Sequence, residues 1–101
     1  MKDIILAQSL DRIRKIHLLS RQLNGPSKNE HRRKLLELID KHAVEVRELL
    51  EAGDPHGVVE VGDLAVLCFE VMLEEGVEIN DVLEKCFGRY EKKLATLLNE
   101  K

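Results

Sequence analysis

The sequence predicts an all-α protein, an antiparallel bundle of four helices that forms a single domain over residues 1–101. Apolar residues recur at three- and four-residue steps along most of the chain, which is the periodicity of a helix with one buried face. Glycine and proline interrupt this pattern at residues 25–26, 53–55 and 76, and such interruptions mark turns. No segment alternates between apolar and polar residues as a half-buried strand does, so we expect four helices with short connections.

The first predicted helix begins near Asp3 and ends at Asn24-Gly25-Pro26, because glycine caps a helix end and proline does not continue a helix. Ser27 and Glu30 have the spacing of a capping box, in which the serine oxygen accepts a hydrogen bond from the backbone N–H of the glutamate. The second helix therefore begins just after Ser27, and its apolar stripe continues to the region of Gly53.

The third predicted helix begins at Asp54-Pro55, since aspartate is favoured as an N-cap and proline at the first helical position. Gly76 closes this helix. The fourth helix begins between Glu78 and Asp81 and ends near Asn99. All four helices thus have a start or stop signal in the sequence.

The third helix differs from the others because apolar residues cover nearly all of its surface between residues 58 and 73. At about 100° per residue its acidic residues share one narrow strip, and these are Glu60, Asp63, Glu70 and Glu74. A helix that is apolar on most sides is buried on most sides, but a chain of 101 residues offers little surface for this burial. We therefore expect oligomerisation to complete the bundle, as a homodimer or homotetramer.

Composition argues against several classes of function. The net charge of −3 argues against binding of a nucleic acid polymer, which requires a basic surface. The aromatic content of 3% argues against base stacking on an aromatic platform. Charged residues interrupt every apolar stretch before it reaches the length of a membrane span or a signal peptide. With Cys68 and Cys86 interpreted as reduced core thiols, we expect a cytoplasmic protein without membrane partners.

Two pairs of carboxylates are candidates for a metal site. Glu45 and Glu48 share one helix face, and so do Glu60 and Asp63. Four carboxylates on two adjacent helices would repel one another unless cations hold them, and Mg²⁺ prefers such oxygen ligands. Because the acid-x-x-acid spacing occurs eight times in this acidic chain, spacing alone does not single out these pairs.

Residues 41–93 resemble the all-α nucleoside-triphosphate pyrophosphohydrolase superfamily, and most closely its MazG-like members. The pattern of that family is E-E-x-x-E, followed after an interval by E-x-x-D. Glu45 and Glu48 match the second and third acids of the first motif, and Glu60-Val-Gly-Asp63-Leu matches the second motif. The resemblance covers about half of the chain, and its motifs occur in the family's order.

Further segments of the resemblance follow the two motifs. Gly76-Val-Glu-Ile-Asn-Asp-Val-Leu resembles the family's turn into its last helix, and Lys85-x-x-x-Arg89-Tyr90 resembles the basic segment after it. The chain departs from the pattern at Val44, where the family has its first acid. It also has only 11 residues between Glu48 and Glu60, which is slightly short.

The resemblance implies Mg²⁺-dependent hydrolysis of a nucleoside triphosphate between the α and β phosphates, which gives a nucleoside monophosphate and pyrophosphate. Mn²⁺ is an expected substitute. The implied metal ligands are Glu45, Glu48, Glu60 and Asp63. Either Glu45 or Glu48 would take the proton of the attacking water. A basic stripe at positions i, i+4 and i+7 would bind the phosphates, and it consists of Lys85, Arg89 and Lys92.

Three other functions compete with this hypothesis. Phosphoribosyl-ATP pyrophosphohydrolase is a sister family, whose motifs are echoed by Val59-Glu60-x-x-Asp63-Leu64 and by Ile79-Asn-Asp-Val-Leu83, although its Ser-Tyr-Thr stretch is missing upstream. A catalytically silent helical interaction module would use the same apolar faces without a metal. A helical nucleic-acid-binding protein is disfavoured by the net charge.

The histidines have no metal-binding spacing, and we interpret His42 as a packed residue.

Overall fold

The structure is a computed structural model that describes residues 4–24 and 27–100, and these residues form four α-helices and no β-strand. The helices are α1 (Ala7–Asn24), α2 (Lys28–Glu51), α3 (His56–Glu74) and α4 (Ile79–Asn99). The predicted all-α class and the number of helices are confirmed. The predicted helix start at Asp3 and the break at Gly25-Pro26 lie outside the described residues. No helix in the described ranges combines the length and the apolar character that a membrane crossing requires.

The first helix begins later than the sequence predicts, because residues 4–6 are not helical. The backbone N–H of Ile5 donates a hydrogen bond to Asn80 Oδ1 over 2.8 Å, and Asn80 Nδ2 donates to the carbonyl oxygen of Ile5 over 3.3 Å. These two bonds satisfy the backbone groups of Ile5 from the start of α4. A contact distant in sequence therefore overrides the local helical preference.

The other helix ends follow their local signals. Ser27 Oγ accepts a hydrogen bond from the backbone N–H of Glu30 over 3.2 Å, which confirms the predicted N-cap of α2. Asp54 Oδ1 accepts one from the N–H of His56 over 2.9 Å, but α3 begins at His56 with Pro55 as its N-cap, one residue later than predicted. Gly53 and Gly76 have φ angles of 70° and 72° and end α2 and α3, because glycine adopts this left-handed conformation without a steric cost.

Helices α2 and α3 form an antiparallel pair. Arg32 donates a hydrogen bond to Glu75 over 2.9 Å at one end of this pair, and Gly57 packs against Leu50 at the other end. The Arg32 guanidinium lowers the pKa of the Glu75 carboxyl. Helix α1 lies across the end that contains Arg32, since His17 contacts Glu74 of α3 there.

The hydrophobic core is small and lies where α1, the C-terminal half of α3 and the start of α4 meet. Its buried members are Leu10, Ile13 and Ile79, with partly buried Ile5, Phe69, Met72, Leu73 and Leu83 packed against them. Leu35 of α2 is also completely buried. In the described part of the chain the buried apolar side chains are therefore Leu10, Ile13, Leu35 and Ile79. A large apolar surface is left exposed.

The exposed apolar surface extends over all four helices and includes the N-terminal half of α3 and most of α4. The acidic strip of α3 faces inward, with Glu70 and Glu74 buried, while Val58, Val59 and Val61 are 43–69% exposed. The prediction that α3 is buried on most sides is therefore not met within one chain. The N-terminal half of α3 is covered mainly on its acidic side, while Phe69, Met72 and Leu73 of the C-terminal half are partly buried against the core. Every described residue of α4 from position 87 onwards is exposed.

Gly57 occupies a tight position between α2 and α3. A Cβ atom built there would lie 2.9 Å from Leu50 Cδ2 and 3.2 Å from the backbone nitrogen of Leu50. Because backbone yields less than a side chain, we expect Gly57→Ala to lower the free energy of unfolding by about 1–2 kcal/mol, measured by urea denaturation. Gly88→Ala is the matched control, since nothing lies within 4 Å of its Cβ position. It should raise stability by about 0.5–1 kcal/mol, and equal destabilisation by both variants would contradict the expectation.

Candidate functional site

Glu60 lies on the side of α3 that faces α2, where it meets two histidines. Its side chain is only 12% exposed, with Oε2 at 3.5 Å from His42 Nε2 and Oε1 at 3.3 Å from His56 Nε2. Among the described residues Glu60 Oε2 has no hydrogen-bond partner. A carboxylate in so little solvent requires a positive or hydrogen-donating group nearby, since burial without one is costly.

The ring of His42 has a defined orientation. Its Nδ1 donates a hydrogen bond to the backbone carbonyl of Leu38 over 2.9 Å, and a carbonyl oxygen only accepts. The neutral ring therefore carries its proton on Nδ1, which leaves the lone pair of Nε2 directed at Glu60. This is the second-sphere arrangement of many metal-binding histidines. His42 is packed on α2, as the sequence suggests, but its Nε2 also belongs to this site.

Asp63 completes a group of three potential metal ligands. One donor atom from each of His42, Glu60 and Asp63 lies within 4.8 Å of the other two. Asp63 is exposed and Glu60 is half-buried, so the group is open to solvent on one side, where a phosphate or water has access. The two carboxylates fit Mg²⁺, whereas the imidazole nitrogen suits Mn²⁺ better, because Mg²⁺ prefers oxygen ligands.

The other predicted ligand pair does not join this group. Glu45 is half-buried and Glu48 is exposed on α2, one and two turns beyond His42. Glu48 instead borders a surface pocket with Ala43, Val44 and Arg47. In the described ranges no group of three potential ligands includes Glu45 or Glu48. The structure thus brings Glu60 and Asp63 together with His42, and the roles of Glu45 and Glu48 stay predictions.

The basic stripe lies on α4, away from the core. Lys85, Arg89 and Lys92 are all exposed, and Arg89 and Lys92 border a groove next to Tyr90. Within the part of the chain that the structure describes, none of the three basic residues forms an ion pair with an acidic side chain. Their charges are therefore available to an anionic ligand, and their predicted role in phosphate binding stays a prediction.

A second polar group is buried at the opposite end of the α2–α3 pair. It contains Glu70 and Glu74 of the acidic strip together with His17, Ser20 and His31. Burial raises the pKa of the Glu70 carboxyl. The hydrogen bond with Ser20 and the nearby histidines lower this pKa, but by less than burial raises it. Sequence spacing missed this group because its members come from three helices. The only signal was the position of Glu70 and Glu74 on the same strip as Glu60.

A comparison of the chain with protein-family models, with curated proteins and with solved structures finds no match.

Proposed function

We propose that this chain is a divalent-metal-dependent nucleoside triphosphate pyrophosphohydrolase whose metal site is centred on Glu60 and Asp63. The observation that carries the proposal is the half-buried Glu60 carboxylate, whose Oε2 lacks a hydrogen-bond partner in the described residues and faces the potential ligands Asp63 and His42. A solvated acidic surface, the usual role of such residues, would not place a carboxylate at 12% exposure. The resemblance of the E-x-G-D-L segment to the MazG-like family supplies the reaction.

The residues have distinct proposed roles. Glu60 and Asp63 hold the metal, His42 adds a nitrogen ligand, and Glu45 or Glu48 takes the proton of the attacking water. A bound Mg²⁺ or Mn²⁺ would polarise the phosphoryl oxygens and lower the pKa of a coordinated water. Hydrolysis between the α and β phosphates then yields a nucleoside monophosphate and pyrophosphate. Arg89 and Lys92 offer charge for the departing pyrophosphate.

The activity is tested with a panel of canonical and modified nucleoside triphosphates and with phosphoribosyl-ATP, each in the presence of Mg²⁺ or Mn²⁺. We expect pyrophosphate and a nucleoside monophosphate from at least one triphosphate, and no product after chelation of the metal. A nucleoside diphosphate with inorganic phosphate would place the cleavage elsewhere. Product only from phosphoribosyl-ATP would favour the sister family, and no product from any substrate would favour the silent interaction module.

A second copy of the chain is the proposed partner of α4, and it would complete the antiparallel bundle. The apolar residues of α4 form one stripe at helical spacing, and each is 46–70% exposed: they are Phe87, Tyr90, Leu94, Leu97 and Leu98. Monomeric proteins rarely leave so long an apolar stripe in water. The packing of this stripe against the same stripe of another copy is the self-complementary contact that two-fold symmetry allows.

Sedimentation velocity should therefore give a mass at least twice the 11.6 kDa of one chain. The double variant Leu94→Glu, Leu97→Glu should shift the population to monomer, because four buried carboxylates would repel one another across the interface. Thr96→Glu, on the opposite face of α4, should leave the mass unchanged. A monomeric wild-type protein would refute the proposed dimer without affecting the metal site.

A further inference from the structure

Three side chains from three helices converge at the end of the α2–α3 pair that α1 covers. His17 Nε2 lies 3.1 Å from Glu74 Oε1, and His31 Nδ1 contacts the same oxygen atom. The donor atoms of these residues all lie within 4.8 Å of one another. We propose that His17, His31 and Glu74 bind a divalent transition-metal ion of the Zn²⁺ class.

The outer nitrogen of each ring has its own polar neighbour. His31 Nε2 lies 2.9 Å from Ser20 Oγ, and His17 Nδ1 lies 3.6 Å from Glu70 Oε1. His31 Nδ1 donates a hydrogen bond to Glu74 Oε1, since a carboxylate oxygen only accepts. Metal binding would take the place of this proton, and each ring would then carry its proton on the outer nitrogen. Ser20 holds the ring of His31 in the way that a hydroxyl or carboxylate holds a metal-bound histidine, whereas Glu70 Oε1 is too far from His17 Nδ1 for a hydrogen bond.

Several buried atoms of this group lack a partner. In the described part of the chain His17 Nδ1, Glu70 Oε1 and Glu74 Oε2 have no hydrogen bond. The side chains of Glu70 and Glu74 are only 4% and 0% exposed. Ionised carboxylates in a region with so little solvent are costly without cations. Arg21 supplies one positive charge at the rim, 4.0 Å from Glu74 Oε1, and is itself half-exposed.

The donor set and its spacing indicate the class of metal. Two imidazole nitrogens and one carboxylate oxygen suit Zn²⁺ and its neighbours and do not suit Mg²⁺ or Ca²⁺. Ligands at the usual zinc distances are about 3.3 Å apart in a tetrahedron. The 3.1 Å between His17 Nε2 and Glu74 Oε1 is close to this separation, whereas His31 Nδ1 lies nearer to Glu74 Oε1, so these two side chains must move apart when the ion binds. Three protein ligands leave the fourth position to water or to a second carboxylate oxygen.

This site is independent of the proposed pyrophosphohydrolase site. His31 and His42 are 11 residues apart on the same helix, which corresponds to about 16 Å along the axis. The ion would connect α1 to the α2–α3 pair at a place where the apolar core is small. At this distance the ion would not contact a triphosphate bound at the Glu60 site. We therefore expect the metal to have a structural role, in which it holds three helices together.

Metal is first removed from the full chain with a chelator. Binding of Zn²⁺ is then measured by titration calorimetry, and the visible absorption of the Co²⁺-loaded chain is a second measurement. We expect one Zn²⁺ per chain with a dissociation constant below about 1 μM, and a higher unfolding temperature with the metal present. His17→Gln should weaken binding more than about 100-fold, and Ser20→Ala, which removes only an outer partner, about 10-fold. Circular dichroism checks that each variant folds.

His56→Gln is the matched control, since this histidine lies at the other end of the α2–α3 pair beside Glu60. It should bind Zn²⁺ as tightly as the wild-type chain. The proposal is wrong if the wild-type chain does not bind stoichiometric Zn²⁺. In that case the histidines neutralise the buried carboxylates as protonated cations. It is equally wrong if the His56→Gln variant loses the metal while His17→Gln retains it. The first result does not bear on triphosphate hydrolysis, whereas the second would place the bound Zn²⁺ at the Glu60 site.

Discussion

Replacement of Glu60 by glutamine should lower the rate of pyrophosphate release by more than about 100-fold, because even loss of an outer-sphere partner costs a metal site 10–100-fold. Glutamine keeps the size of the side chain and removes its charge. It also removes the buried negative charge beside His42 and His56, so the fold should tolerate it. Asp63→Asn should have a similar effect on turnover. Both are measured with the best triphosphate at saturating Mg²⁺ or Mn²⁺.

Glu84→Gln is the control for these two variants. Glu84 forms the same acid-x-x-acid spacing with Asp81, but it is exposed on α4 and belongs to no group of potential ligands in the described residues. Its turnover should equal that of the wild-type chain. Full activity of both Glu60→Gln and Asp63→Asn would remove the proposed site, even if the chain hydrolyses triphosphates.

The affinity for Mn²⁺ separates a metal-site effect from a structural one. A variant that has lost a ligand should bind Mn²⁺ more weakly, while its helical content and its urea midpoint remain those of the wild-type chain. A loss of activity that is accompanied by a lower urea midpoint, with Mn²⁺ affinity intact, would assign Glu60 a purely structural role.

Truncation of Leu35 to alanine should lower the free energy of unfolding by about 3 kcal/mol, within the range measured for buried leucines. Leu35 is 0% exposed and lies one turn after His31 on the buried side of α2. The described part of the chain buries few apolar residues, so each contributes a large share of a stability of about 5–15 kcal/mol. Urea denaturation should show a midpoint about 2 M lower with an unchanged slope.

Leu36→Ala removes the same atoms from the neighbouring position, where the side chain is 48% exposed. It should cost less than about 1 kcal/mol, since substitutions at exposed positions usually have small effects. Equal losses from the two variants would show that another surface covers Leu36 in solution. In that case the loss at Leu36 should depend on protein concentration, whereas the loss at Leu35 should not.

The sequence by itself determined the helices and most of their ends. Ser27, Gly53, Asp54 and Gly76 act on the backbone within a few residues of themselves, so their effects are readable without tertiary information. The exception is the start of α1, where Ile5 bonds to a residue 75 positions away. The placement of Glu60, Glu70 and Glu74 on one strip was likewise a consequence of helical periodicity alone.

Only the tertiary structure decided which side of α3 is buried. The apolar residues of the sequence suggested burial all round, yet α1 and α2 pack against the acidic strip and leave Val58, Val59 and Val61 exposed. It also decided which ligands meet, since His42 joins Glu60 and Asp63, and His17 and His31 join Glu74, from different helices. The spacing of residues along one helix specifies a face, but the contacts between faces depend on how the helices pack, which no local pattern encodes.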